Sequence, residues 1–290
     1  MRAIVPVLRA FLRRPLGILA LGLLVVLLLS ALLADALAAH GFVAQFRGLE
    51  LKPPGTRAPD GSLFLLGTDE LGRDSFSRLL HGARISLYVG LVSVTGAVLI
   101  GTTAGMVAGY AGGAADALIQ RLVEIFMSMP VIVLAMVIST VLGAGINGVV
   151  IAVMIIQWPR VARVVRGDVL AVKSLPYVEA ARSVGARHGR IMLQHILPNV
   201  TSSLLILATT NLGAAIMLEA ALAFLAVGAT APTPSWGLMI ADGREYLVRD
   251  PKLLFIPGAA ISLVVLTFNL GGDLLRDILD PRLSQTKALH

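Results

Sequence analysis

Cysteine is absent from this chain of 290 residues, so a disulfide framework and thiolate metal sites are excluded, and the redox compartment stays open. Lysine is scarce: Lys52, Lys173, Lys252 and Lys287 all lack the preceding glycine of a phosphate-cradling loop, so the chain does not hydrolyse ATP through such a loop. Five histidines (His40, His81, His188, His195, His290) are scattered without metal-ligand spacing. There is no His-Glu-x-x-His zinc helix and no Gly-x-Ser-x-Gly elbow. Charge is also scarce, at 14% of residues, where soluble domains carry about a quarter.

What remains belongs in lipid. Hydrophobic residues make up 57% of the chain and the mean hydropathy is +0.85. The formal charge of +7 fits the Lys and Arg bias of cytoplasmic loops in a multi-pass protein better than nucleic-acid binding.

A span takes about 20 mostly apolar residues, and six segments reach or approach that length: Leu16 to Ala34, Ser86 to Tyr110, Leu122 to Leu142, Ile146 to about Trp158, Leu204 to Val227 and Leu253 to Leu275. These runs are continuous and not alternating, which predicts six transmembrane helices in an all-α membrane protein. The fourth is short, with Pro159 and Arg160 following at once. The first, preceded by Arg2, Arg9, Arg13 and Arg14 and ending in Ala36-Leu-Ala38, also resembles a signal peptide. Its apolar run is longer than a signal core of roughly 7 to 15 residues, favouring an uncleaved helix.

Lys and Arg placement predicts that both termini and the segment around Glu179 face the cytoplasm. Two segments then lie outside: Ala39 to Arg84, with Pro53, Pro54 and Pro59 keeping its middle extended, and Gly228 to Lys252. The expected organisation is an N-terminal helix and outer loop at 1–84, a transmembrane core at 85–282 and a tail at 283–290.

Within the second span, Ala97, Gly101, Gly105 and Gly109 recur every fourth residue and stack on one face, predicting close helix packing. Glu219 lies deep in the fifth span, where an ionised carboxylate costs several kcal/mol unless paired, wetted or protonated. Two readings stand for it: contact with a cargo group or gate on a translocation path, or a neutral acid bonding a neighbouring helix. Asp35, Asn269 and Asp273 sit near span ends and read as interface anchors.

The stretch Tyr177-Val-Glu-Ala-Ala-Arg-Ser-Val-Gly185 is a polar island in this apolar chain. Ser174 and Pro176 predict a helix start, Glu179 and Arg182 can pair on one face, and Gly185 permits a reversal. Arg187 to Gln194 predicts a second basic helix, stopped by Pro198. An exposed helix with the small residues Ala180 and Ala181 suits docking into a partner's groove; an ordinary solvated loop is the blander alternative.

Glu179-Ala-Ala, Gly185 and Leu197-Pro198 together resemble the EAA loop of ABC importer permeases, specifically the dipeptide and oligopeptide branch. Leu66-Gly-Thr-Asp-Glu-Leu-Gly-Arg-Asp74, Gly82-Ala-Arg-Ile-Ser-Leu87, Trp158-Pro-Arg-Val-Ala-Arg163, Glu219-Ala220, Pro232-Thr-Pro-Ser-Trp-Gly237, Gly272-Asp273 to Arg276-Asp277 and Asp280-Pro-Arg282 extend the likeness over Leu63 to Arg282. His195, Leu225-Ala-Val-Gly228, Leu274 and Glu124 depart from the usual pattern.

The resemblance implies a type I ABC importer (MetI-like) permease core in the cell inner membrane, non-catalytic and binding no cofactor directly. It implies a second, similar permease as partner, two cytoplasmic ATPases carrying ATP and Mg, and an extracytoplasmic binding protein; no nucleic acid is involved. ATPase coupling would fall to Tyr177, Glu179, Ala180, Ala181, Arg182, Gly185, Leu197 and Pro198. An ion-coupled secondary carrier competes, but only Glu219 offers the intramembrane charge it needs. A membrane-embedded hydrolase lacks a second deep carboxylate. The cargo, among dipeptides, longer peptides, glutathione and nickel, stays open.

Overall fold

Proline and glycine set most helix boundaries in this chain. The computed structural model describes residues 11–143 and 145–279. Arg2, Arg9, Asp280-Pro-Arg282 and the 283–290 tail of the sequence argument lie outside them. The helices are α1 (Pro15–Leu32), α2 (Ala34–Leu37), α3 (Ser75–Ala111), α4 (Gly113–Ser128), α5 (Val131–Leu142), α6 (Ile146–Val172), α7 (Pro176–Ser183), α8 (His188–Phe224), α9 (Trp236–Gly243) and α10 (Lys252–Leu279). Five of these, α1, α3, α6, α8 and α10, are long and apolar enough to cross a membrane.

The segment Leu122 to Leu142 is not the single helix its hydropathy suggests. α4 and α5 together pass the same test but meet at a bend of 99°. Pro130 causes the break, because its ring disfavours the α region for the preceding residue, and Met129 is extended (φ −88°, ψ 141°). The fourth span also corrects the sequence reading. α6 runs through Pro159 to Val172, since Val161, Val165 and Val169 beyond the proline are fully buried and their packing outweighs the lost backbone bond.

That packing is against the small-residue face of α3. A Cβ at Gly101 would lie 2.5 Å from the Val161 Cβ, at Gly105 2.7 Å from the Val165 Cβ, and at Gly109 2.8 Å from the Val169 Cβ. Only glycine lets α3 and α6 approach so closely.

α3 begins well before its apolar run. The Asp74 carboxylate caps it, accepting from the Phe76 and Ser77 amides at 3.2 and 3.3 Å. Its 37 residues make roughly 55 Å of helix at 1.5 Å per residue, longer than a hydrocarbon core of about 30 Å. The first turns therefore project into a folded cap.

The proline-bearing stretch in that cap is not extended throughout. Strands β1 (Thr56–Arg57) and β2 (Leu63–Phe64) pair antiparallel, and Phe64 is fully buried, its ring 5.2 Å from Phe46 and 4.9 Å from His40. An aromatic centre that short is invisible to hydropathy. Lys252 donates to the Lys52 carbonyl at 2.8 Å, tying the cap to the start of α10.

Candidate functional site: the exposed α7 helix and a mid-bundle cavity

Near the ends of α3 and α6, α7 lies across the bundle. Only one α7 side chain is buried: Val178, which joins a cluster with Met106, Val165, Val169, Ile196 and Val200. Tyr177, Glu179, Ala180 and Arg182 are exposed and Ala181 is half-buried. Leu175, not Ser174, is the N-cap residue, and Ser174 instead donates to the Ala171 carbonyl at the end of α6. No ion pair joins Glu179 to Arg182 among the described residues; Ser183 donates to the Glu179 carbonyl at 3.0 Å.

The reversal expected at Gly185 is present. Its φ is +78°, and its amide donates to the Arg182 carbonyl while Ala186 donates to the Ala181 carbonyl, at 3.0 and 3.1 Å. This is the paired-bond helix ending that needs a left-handed residue, which glycine adopts without a Cβ clash. Ala181, Val184, Gly185, Arg187, Arg190 and His195 then line an open concavity of about 520 Å³.

Pro198 does not stop the following helix. Residues Ile191–Ile196 form a π-helical turn that shifts the bonding register, so Pro198 falls in the first turn of the next α-helical stretch, where it has no intrahelical donor to lose. Leu197 is half-buried and Pro198 exposed.

At the opposite end of the bundle, residues distant in sequence meet. Trp236 is 2% exposed, donates to the Leu79 carbonyl at 3.0 Å, and covers Gly82, where a Cβ would lie 2.9 Å from its ring. Gly237 sits on Ala220 at a spacing that would put a Cβ 2.5 Å from the Ala220 Cα. Arg73 and Arg78, both nearly buried, reach Asp69 at 2.6 and 3.3 Å and Asp242 at 3.7 Å each. Burial holds Glu70 and Asp242 above the usual carboxylate range. Asp35 bonds His81 and Arg84, each at 3.1 Å, and these bonds hold its carboxyl below that range.

Glu219 belongs to this packed region. It is 1% exposed and accepts from the Ser86 hydroxyl at 3.2 Å, with Ser235 against it. The side chain lies in the contact between α3 and α8 and is not among the residues lining the cavities that border α4, α5 and α6, while its other carboxylate oxygen has no hydrogen-bond partner among the described residues. The helix-to-helix bond, the other reading of the sequence, fits the geometry.

A second cavity lies beside the α4–α5 break, and hydropathy gives no sign of it. It measures about 580 Å³, with Met129, Ile132, Gln157, Arg160, Asn211 and Met217 in its wall. The only sequence signal was Trp158-Pro-Arg160; Gln157 and Asn211 are uncharged amides that hydropathy passes over.

One broken span, a tight glycine-mediated helix pair and an exposed helix at one face make this a multi-pass helical protein of the kind found among membrane transporters. The chain matches the family described as "Binding-protein-dependent transport system inner membrane component" over residues 101–285. It belongs to that family and is a permease subunit of an ABC importer. A dipeptide transport system permease protein of Alkalihalophilus pseudofirmus is 44% identical over 217 residues, 75% of this chain and 71% of that one. A glutathione transport system permease protein of Pectobacterium atrosepticum is 46% identical over 218 residues, 75% and 72% of the two chains. A di/tripeptide transport system permease protein of Pseudomonas aeruginosa is 44% identical over 239 residues, 82% and 79%.

The fold resembles that of the MetNI methionine ABC transporter in an inward-facing conformation, at TM-score 0.57 and 21% identity, covering 70% of this chain and 96% of that one. Family membership sets aside the ion-coupled carrier and the membrane hydrolase, and makes this chain a transport subunit without catalytic activity of its own.

Proposed function

We propose that this permease carries short peptides inward, and that α7 receives the thrust of cytoplasmic ATPases. The observation that carries the cargo assignment is the identity of 44–46% with permeases named for dipeptide, di/tripeptide and glutathione transport. Tyr177, Glu179, Ala180, Ala181, Arg182 and Gly185 form the docking face, with Leu197 and Pro198 fixing the return helix. One of the two ATPases, which hold ATP and Mg, meets this face. The other meets the same face of a second, similar permease, and a binding protein delivers cargo to the opposite side.

The basic residues around α7 (Arg163, Arg166, Lys173, Arg187, Arg190) support a cytoplasmic position for that end, with the Phe64 cap outside and both chain termini inside on this reading. Residues 85–282 are the permease core, to which 1–84 add a helix and the cap.

Reconstituting the co-purified complex with its binding protein and measuring ATP-dependent uptake of labelled trialanine and glutathione tests this. Uptake of either supports the assignment; uptake of neither, by a complex that still hydrolyses ATP in response to the binding protein, sinks the peptide cargo.

A further inference from the structure

The α4–α5 break, Gln157 and Asn211 border one cavity. From the ends of their helices facing the cap, Val131 lies about 17 Å along α5, Gln157 about 17 Å along α6 and Asn211 about 20 Å along α8, at 1.5 Å per residue. Each path is about half to two thirds of a hydrocarbon core about 30 Å thick. Irregular backbone at such a depth is tolerated where protein or a water-filled cavity surrounds it, and here it borders the cavity of about 580 Å³.

The residues lining that cavity include two amides, each with a buried atom that has no partner among the described residues, and the exposed Arg160. Asn211 is 3% exposed, and neither its Nδ2 nor the Oε1 of Gln157 has a hydrogen-bond partner among the described residues. Arg160, one turn beyond Gln157 on the same face, has no carboxylate within ion-pair distance among the described residues. Buried polar groups in native proteins are satisfied by water or by a ligand. A donor, an acceptor and a cation are the kinds of group that a peptide carbonyl, a peptide N–H and a terminal carboxylate bond. The rest of the wall is apolar and includes Met127, Met129, Ile132 and Met217, and methionine packs adaptably against varied side chains.

We propose that Gln157, Arg160 and Asn211 form a transit site that holds the main chain of a peptide midway across the membrane. Arg160 takes the terminal carboxylate, Asn211 donates to a peptide carbonyl, and Gln157 accepts from a peptide N–H. The site reads main chain, so it discriminates weakly between side chains. This rests on the peptide cargo proposed above.

The test uses the reconstituted complex with binding protein saturated by trialanine or by trialanine carboxamide, uptake being normalised to assembled complex. Asn211→Leu lowers the maximal rate for both about fivefold. Arg160→Gln lowers the free-acid rate about tenfold, with a much smaller loss for the amide, because only the acid offers a charge-assisted bond. Arg160→Lys restores preference for the acid in part, which a merely structural arginine would not.

Wild-type rates for both Asn211→Leu and Arg160→Gln overturn the transit site while leaving peptide transport standing. If these variants instead lose assembly but transport normally per assembled complex, the residues serve the permease–permease contact and the proposal is equally overturned. Failure of the wild-type complex to take up trialanine overturns the cargo assignment and this site with it.

Discussion

The α3–α6 contact makes a quantitative prediction for Gly105→Ala. The added methyl would lie 2.6 Å from the Ala162 carbonyl oxygen and 2.7 Å from the Val165 Cβ, where comfortable separations are about 3.5–4.0 Å. Both obstacles belong to the backbone or a branched Cβ, so no rotamer change relieves them and the helices must part by about 1 Å. Such overpacking costs about 1–3 kcal/mol, and alanine's better helix propensity returns up to about 1 kcal/mol. The net loss is about 1–2 kcal/mol. Gly101→Ala meets the Trp158 carbonyl at 2.7 Å and the Val161 Cβ at 2.5 Å, and one separation of the pair relieves both strains. The double variant is therefore less destabilised than the sum of the singles. Gly167→Ala is the control: it is exposed on α6 with nothing within 4 Å of a new Cβ, so it gains stability or stays level. Denaturant titration of the purified protein in detergent, followed by helical circular dichroism, ranks the four. Gly105→Ala matching Gly167→Ala in midpoint would refute the close-packing account.

At Gly185 the constraint is torsional, since φ is +78° and no atom lies within 4 Å of a new Cβ. Gly185→Asn, which tolerates the left-handed region, should keep much of the uptake, whereas Gly185→Val should abolish it and weaken ATPase co-purification; equal uptake by the two would show that the turn is not what matters. Glu219→Gln preserves an acceptor for Ser86 and should transport as wild type does, while Glu219→Leu strands that hydroxyl and should lower stability by about 1–3 kcal/mol, read as an earlier denaturation midpoint; a changed cargo preference in Glu219→Gln, measured by competitive uptake, would return Glu219 to the path. For orientation, Leu65→Cys (55% exposed on the cap) should react with an impermeant maleimide in intact cells and Ser183→Cys should not; the reverse pattern would invert the assignment.

How much of this was legible in the sequence depends on which force set each feature. Spans, the glycine face and the α7 turn follow from hydropathy, four-residue spacing and a lone glycine, all local signals. The break at Pro130 was hidden because the residues on both sides are apolar, and hydropathy is blind to a backbone torsion. Two prolines misled in the other direction. Pro159 and Pro198 read as stops, yet buried valines beyond the first and a π-helical turn before the second let both helices run on. The cap was called extended because Pro53, Pro54 and Pro59 dominate its middle, while its centre, Phe64 against His40 and Phe46, depends on residues up to 24 positions apart.

The site divides along the same line. The α7 face is contiguous and was named from sequence, whereas the cavity wall draws on α4, α5, α6 and α8 and exists only once they pack. α6 joins the two physically. Its Val165 and Val169 share a cluster with Val178 of α7, the same two valines press on Gly105 and Gly109 of α3, and two turns back the helix presents Gln157 and Arg160 to the cavity. Arg166 adds a two-pronged ion pair to Asp116 on α4, each arm 2.6 Å, anchoring the half-helix that leads to the break. The valines that pack on α7 and the residues that line the cavity thus lie on one helix; Pro159, where α6 lacks a backbone bond, sits between Val165 and Gln157, and the Met129-Pro130 bend lies beside the cavity.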